Sequence, residues 1–343
     1  MSDTAKQPQR PAERPVPTSA DVARLAGVSR ATVSYVLNNT SAVRISEPTR
    51  ARVREAAEEL GYVPHAAARS LRAGRTRIVL LPSGHIPVGP LYSRFLNELQ
   101  GALRRLDYTV VQYGSFGLGA DDAARAWAEL RPVAVISLGE TELTAQGVEL
   151  LKRSGARAVV TLGPQRVEGA HSLPMDQREI GRCAVGHLVE RGHRRIGVVV
   201  PAEPGLELFS RPRLAGARKA VGGTDAVVEP LDLAYEEESA ARLARRWRGL
   251  GLSAVFAYND EYAMLLMRAL QDEGLQVPGQ AAVVGADNLL LGTLLRPRLT
   301  TVNIDMIAGR HLAQLIDAAV RDPSAVGARR DLMGASLVRR ESS

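Results

Sequence analysis

The chain has 343 residues, more than one ordinary domain of about 100–200, and its 45% hydrophobic and 24% charged content is that of a folded globular protein. One cysteine excludes a disulfide framework and a cysteine-based zinc cluster, and the six histidines include no i, i+4 pair of the zinc-protease kind. The sequence offers neither a membrane-length apolar run nor a secretory h-region, so a cytoplasmic protein is expected.

The net charge of +7 is unevenly placed: residues 18–77 hold ten arginines against five acids, while the 266 residues after them sum to +1. A basic end on a nearly neutral body fits a nucleic-acid footprint, although a solvated charged face gives the same number. Arginine outnumbers lysine 41 to 3, so a single arginine is a poor functional marker here.

Residues 1–17, with four prolines and no apolar period, read as a disordered arm. Thr18 and Asp21 have capping-box spacing at the start of a first helix, with Val22, Leu25 and Ala26 as its stripe and Gly27 as its end. Ser29 caps a second helix that closes at Asn38. Ser46 opens a third, with Pro48 in its first turn, Val53, Ala56, Ala57 and Leu60 turned inward, and Gly61 as the stop. Two short helices joined by Gly-Val-Ser and followed by a longer one make a helix-turn-helix. A plain helical bundle is the alternative, and the local basic charge favours DNA. Residues 64–71 have helix propensity but are too few to stay helical without a partner.

From residue 77 short β-branched runs alternate with amphipathic stretches. Strands are predicted at 78–81, 109–113, 133–138, 158–162, 196–200, 226–228, 254–258 and 282–285, and helices at 91–105, 180–191, 240–248 and 261–273. That alternation predicts two α/β subdomains with parallel sheets and helices on both faces, and a ligand site outside the carboxyl ends of the strands. Residues 114–119 read G-x-x-G-x-G, not the dinucleotide fingerprint, which counts against a nicotinamide-dependent enzyme; no cofactor or metal is expected. The lack of an export signal counts against a pure solute-binding protein. Cys183 reads as a small buried hydrophobe, and His187 and His193 as packing or capping groups.

The segment T-S-A-D-V-A-R-L-A-G-V-S-R-A-T-V-S-Y-V-L-N (18–38), followed by I-S-E-P-T-R-A-R-V (45–53) and E-L-G-Y-V-P-H-A-A-A-R-S-L (59–71), carries a specific pattern. Further along stand M-D-Q-R-E-I-G (175–181), H-L-V-E-R-G-H-R-R-I (187–196), R-P-R-L-A-G (211–216), Y-N-D-E (258–261), V-V-G-A-D-N (283–288) and L-T-T-V-N-I-D (299–305). In this order they resemble the lactose/galactose repressor (LacI/GalR-type) family of bacterial transcription regulators. The resemblance implies a sequence-specific DNA-binding repressor, not an enzyme. Its operator affinity would be set by a small-molecule effector held between two subdomains of the periplasmic-binding-protein-like fold type I. It divides the chain into a disordered arm (1–17), a helix-turn-helix headpiece (18–62), a hinge helix and linker (63–76) and an effector-binding, dimerising body (77–343).

Residue by residue, the resemblance puts Arg30, Ala31 and Tyr35 at base-reading positions; arginine suits guanine O6/N7, and Ala31 only a thymine methyl. Ser29, Thr32, Ser34, Asn38, Thr49 and Tyr62 fall at phosphate-contacting positions. His65, Ala68, Arg69 and Leu71 fall in the minor-groove hinge, with Leu71 as the wedge between base pairs. In the body Arg213 and Asp287 match effector-binding positions, Asn259 and Asp260 lie at the end of a strand where a ligand would sit, and Asp176 reads as a ligand group, a support behind one, or a turn former. The implied partners are double-stranded DNA carrying a pseudo-palindromic operator and a sugar, sugar derivative or other small metabolite. The five residues after Val338 leave no room for the heptad helix of tetrameric members, so a homodimer is expected. Three departures weaken a plain sugar assignment: Met306 where relatives often carry an aromatic ring, no tryptophan in 230–235, and an unusual loop at 83–90.

Overall fold

The computed structural model describes residues 16–37, 43–63, 76–83, 89–114, 117–138, 143–163, 166–324 and 333–343. It contains two compact units, residues 1–76 and 77–343. The first is three helices: α1 (Ser19–Ala26), α2 (Arg30–Leu37) and α3 (Glu47–Glu59). The capping box at α1 is formed, with the Asp21 carboxylate accepting from Thr18 N at 2.9 Å and Thr18 Oγ1 at 2.7 Å. Gly27, at φ 64°, closes α1 in the left-handed region that glycine enters without strain. The buried core is Val22, Val33, Val36 and Val53 with Ala23, Ala26, Ala56 and Ala57. Leu25, expected in the stripe, is 47% exposed, and Ala23 takes its place. At about 100° per residue, positions 22, 23 and 26 cluster on one side of an eight-residue helix while 25 points away from their centre.

The second unit has two lobes, each built on its own sheet. Lobe 1 contains β1 (Ile78–Ser83), α4 (Pro90–Arg105), β2 (Thr109–Gly114), α5 (Ala120–Glu129), β3 (Ala134–Ser137), α6 (Ala145–Arg153), β4 (Ala158–Gly163) and β5 (His171–Pro174), with strand order β2-β1-β3-β4-β5, all parallel. Lobe 2 contains α7 (Arg178–Glu190), β6 (Arg195–Pro201), α8 (Glu207–Ala220), β7 (Val227–Leu233), α9 (Glu237–Leu250), β8 (Ala254–Phe256), α10 (Asp260–Asp272), β9 (Ala282–Ala286) and β10 (Thr300–Met306). The chain then returns to lobe 1 as α11 (Gly309–Arg321), against α4, and ends in lobe 2 as β11 (Met333–Val338). Sheet order in lobe 2 is β11-β10-β9-β8-β6-β7. Apolar clusters cover both faces of each sheet, as the strand–helix alternation requires.

Four strands differ from expectation, and β10, like β5 and β11, is not among the predicted strands at all. β5 (H-S-L-P) and β11 (M-G-A-S-L-V) are short or small-residue segments with no β-branched run, and β11 pairs antiparallel to β10, so the second sheet is not wholly parallel. β7 extends to Leu233 through Pro230, which an interior strand would not tolerate; β7 is the sheet edge, where a missing N–H has no ladder to break. The last residues are drawn into lobe 2. Ser342 is fully buried, its Oγ donating to Val283 O at 2.6 Å and accepting from Thr300 N at 2.8 Å.

Candidate DNA-reading helix and effector cavity

On α2 the residues Arg30, Ala31 and Tyr35 are exposed, while Val33 and Val36 face the core. Ala31 and Tyr35, four apart, share the outward face. Ser29 accepts from Thr32 N at 3.1 Å and its Oγ lies 2.9 Å from Thr32 Oγ1, so this expected phosphate pair also caps α2. Thr49 sits in the first turn of α3 with its hydroxyl 2.9 Å from that of Ser46. Ser34 is half-buried on α2, and Tyr62 packs against the headpiece core with its N donating to Ala57 O at 2.8 Å. Asn38 and the hinge positions His65, Ala68, Arg69 and Leu71 lie outside the described residues, as do 84–88 of the unusual loop.

In the body, a cavity of about 250 Å³ opens between the lobes, at the carboxyl ends of strands from both sheets. Arg213, on α8, is buried in its wall: Nε donates to Gln177 Oε1 at 3.0 Å, Nη1 donates to Tyr258 O at 2.7 Å, and the guanidinium carbon sits 4.6 Å from the Tyr258 ring centroid. Two glycines set its depth. A Cβ on Gly181 of α7 would lie 1.8 Å from Arg213 O, and one on Gly216 of α8 would lie 1.8 Å from Arg178 O. Backbone therefore packs on backbone here, which only glycine permits.

Asp287 follows β9 at φ 99°, a conformation that is costly for a residue with a Cβ and is held by its N donating to Val302 O at 2.9 Å. Burial pushes its carboxyl up to about 6; Arg213 pulls it back down and Glu261 adds to the rise. Asn259 caps α10, its Oδ1 accepting from Tyr262 N at 3.0 Å, and it lines the cavity beside Glu261. Arg213, Asp287 and Asn259 are thus brought together from three elements.

Two of the expected residues stand outside the cavity lining. Asp260 is fully buried behind the wall, its carboxylate accepting from Thr301 Oγ1 at 2.5 Å and Leu289 N at 2.7 Å. Burial raises it to about 7 despite those two hydrogen bonds. Asp176 turns instead to Arg178, whose N and Nε donate to it at 3.0 and 2.9 Å on the surface. Several cavity residues went unnoticed in the sequence. Gln177 and Glu261 lie inside quoted motifs, whereas Phe95, Phe209 and Tyr235 carry no local mark that separates a cavity wall from a core. Met306, noted as a departure, is on the wall. Of the other residues singled out, Cys183 is half-buried, His187 is buried with Nε2 2.9 Å from Ser343 Oγ, and His193 Nδ1 lies 2.9 Å from Ser253 Oγ. Among the described residues no helix is long and apolar enough to cross a membrane.

Residues 18–65 match the family described as bacterial regulatory proteins, lacI family, and residues 185–343 match the periplasmic binding protein-like domain. The HTH-type transcriptional repressor PurR of Vibrio parahaemolyticus is 31% identical over 296 residues, covering 83% of this chain and 86% of that protein. The HTH-type transcriptional regulator GalR of Escherichia coli is 29% identical over 339 residues, 95% of each. The crystal structure of the lac repressor dimer bound to operator and the anti-inducer ONPF superposes with a TM-score of 0.74 at 25% identity, covering 95% of this chain and 98% of that one. The relatives are transcription regulators, not enzymes, and they share both the helix-turn-helix and the two-lobed body. The chain belongs to the lacI family of bacterial transcription regulators.

Proposed function

We propose that this chain is a cytoplasmic homodimeric repressor that reads a pseudo-palindromic operator through α2 and releases or tightens on it when a small molecule fills the cavity between the lobes. The observation that carries this reading is the cavity itself, where Arg213, Asn259 and Asp287 converge from α8, the cap of α10 and the turn after β9. A ligand touching both lobes changes their relative stability in open and closed forms, and only such a difference can shift DNA affinity. Arg30, Ala31 and Tyr35 supply the base contacts, and the hydroxyls of Ser29, Thr32, Ser34 and Thr49, with Asn38 and Tyr62, set the register on phosphates. The hinge residues His65, Ala68, Arg69 and Leu71 act in the minor groove, with hinge folding coupled to specific binding.

A second copy fits an apolar patch. Leu290, Leu291 and Leu294, on the 3-10 turn after β9, are 76%, 55% and 66% exposed, and pairing across a two-fold axis buries such a patch on both copies at once. The test is operator selection from a random pool followed by affinity measurement at fixed salt. Arg30→Ala should cost roughly 1–3 kcal/mol and relax one base pair per half-site. Arg213→Ala should abolish the response to effector while leaving basal operator affinity near normal. Random-pool selection that returns no palindrome, or a ligand response that survives Arg213→Ala, would overturn the reading.

A further inference from the structure

The two walls of the cavity differ in kind. Among the described residues, lobe 1 contributes Leu91, Tyr92, Phe95, Leu138 and Leu162 with Gly89 and Gly163, and the Tyr92 hydroxyl is its one polar side-chain group. The charged and amide side chains of the described lining all come from lobe 2 or the segment entering it: Gln177, Arg213, Asn259, Glu261 and Asp287. Rings flank the space from both sides, with Tyr92 and Phe95 centroids 6.5 Å apart in lobe 1 and Tyr235 tilted against Tyr262 at 5.2 Å in lobe 2.

Three physical consequences follow. A free sugar carries hydroxyls around its whole rim, and the lobe 1 wall offers them few partners, so each one buried there unpaired costs roughly 1–3 kcal/mol. A ring with polar groups along one edge only has no such cost. The lining also holds two carboxyls against one guanidinium, and that guanidinium is already engaged by Gln177, the Tyr258 carbonyl and the Tyr258 ring. Among the described lining residues an anion meets the two acids Glu261 and Asp287 against the single charge of Arg213, whereas an ammonium meets both acids and aromatic faces. Size agrees: a dry cavity of about 150 Å³ is enough for benzene, so about 250 Å³ admits a substituted ring.

We propose that the ligand of this cavity is an amphiphilic ring, a small uncharged or singly cationic molecule whose aromatic body lies on lobe 1 and whose hydroxyl or amino donors face Glu261, Asp287 and Asn259. This ligand class rests on the reading of the cavity as the effector site. Phosphorylated sugars and carboxylic acids are disfavoured by the same charges, and free sugars by the mostly apolar residues described on the lobe 1 wall.

The test uses the full chain and five probes, tyramine, 4-hydroxybenzyl alcohol, 4-hydroxybenzoate, glucose and glucose 6-phosphate, measured by calorimetry and thermal shift at one salt concentration near pH 7.5. Tyramine and the alcohol should bind at least tenfold more tightly than 4-hydroxybenzoate, glucose and glucose 6-phosphate. Glu261→Gln should narrow the tyramine-to-benzoate ratio about tenfold. The ligand class is overturned if glucose, its phosphate or the benzoate binds as well as the two ring probes, if neither ring probe binds, or if the ratio is unmoved in the Gln variant. Operator affinity measured beside these values separates the two readings. Ring probes that bind as expected without altering operator affinity leave the ligand class standing and sink the effector role; a sugar that binds and shifts operator affinity does the reverse.

Discussion

The headpiece and the body bury apolar surface on different scales. In the headpiece, among the described residues, no fully buried side chain is larger than valine. The body buries Trp127, Trp247 and Phe256 and fills both faces of two sheets. A core of methyl groups on three short helices removes little area from water, so the headpiece has a thin stability margin that contact with DNA can extend. The body is a stiff frame in which backbone meets backbone, able to hold a strained Asp287 and a buried Arg213 at a ligand. The DNA-reading part is the adaptable one, and the sensing part is the rigid one.

The strongest blow to that contrast is a single methyl group in the body. Gly181→Ala places a Cβ 1.8 Å from Arg213 O, and Gly216→Ala does the same against Arg178 O, with no flexible side-chain end to yield. Each should force α7 and α8 apart, cost roughly 3 kcal/mol or more, and weaken cavity ligands by displacing Arg213. Calorimetry should show the body transition lowered while the headpiece transition stays. An unchanged body transition in both variants would mean that the frame is not rigid at this contact.

Next comes pH. Asp260 is held near 7 in the folded body by burial, well above its ordinary 3.8, with Asp287 raising it and Thr301, Leu289 N and Arg340 opposing. A folded pKa above the unfolded one means the native state holds a proton that the unfolded state has lost, so stability falls as pH rises from about 5 through 7. The drop is on the order of 2–3 kcal/mol over that range for Asp260, and Asp287, held near 6, adds a smaller one of the same sign. Asp260→Asn should flatten most of the slope. Its Oδ1 can accept from Leu289 N while Nδ2 donates to Thr301 Oγ1, much as the protonated acid would. Denaturant titrations of both proteins at pH 5, 6, 7 and 8 check this, and parallel slopes would remove Asp260 as the cause.

In the headpiece, Val53→Ala removes two methyl-sized groups from the centre of the core, about 2 kcal/mol by transfer and residual cavity together. In a unit of such small margin this should abolish specific operator binding while cavity ligands bind as before. Persistent operator binding would show a sturdier headpiece than its valines and alanines supply.

How far each region could be read from the chain follows the same divide. The headpiece is written in local chemistry: Thr18 with Asp21, Gly27, Ser29, and Ser46 with Pro48 are caps and stops that act within one turn. The cavity is written in long-range packing. Arg213 and Asp287 came only through resemblance and Asn259 through its place at a strand end, while of the neighbours Asp260 and Glu261 the first was expected at the ligand and the second lines the cavity. Which of the two faces the ligand is decided where α10 starts, and Tyr258, at φ 49°, turns the chain just before it. Phe95 and Phe209 read as core because an apolar residue on a helix has the same pattern whether it meets a neighbour or a void. The glycines at 181 and 216 stand at the ends of quoted motifs, yet their purpose appears only once α7 lies on α8.

The smallest expected effect is also the one that separates folding from recognition within α2. Ser29 and Thr32 were expected at phosphates, and in the folded headpiece Ser29 caps α2 through Thr32 N while the two hydroxyls pair. Ser29→Ala should lose about 1 kcal/mol of headpiece stability from the missing cap. It would also lose a phosphate contact, so alone it cannot apportion the two roles. Ser29→Asp can. Aspartate caps as well as serine and its charge suits a helix start, so stability should stay within about 0.5 kcal/mol. On DNA that charge would face a phosphate and lower affinity for operator and random sequence alike. A stable Asp variant with weakened binding on both DNAs makes Ser29 a phosphate contact as well as a cap. Equal binding by wild type and the Asp variant would leave Ser29 as a cap alone and leave the register-setting contacts to Thr32, Ser34, Asn38, Thr49 and Tyr62.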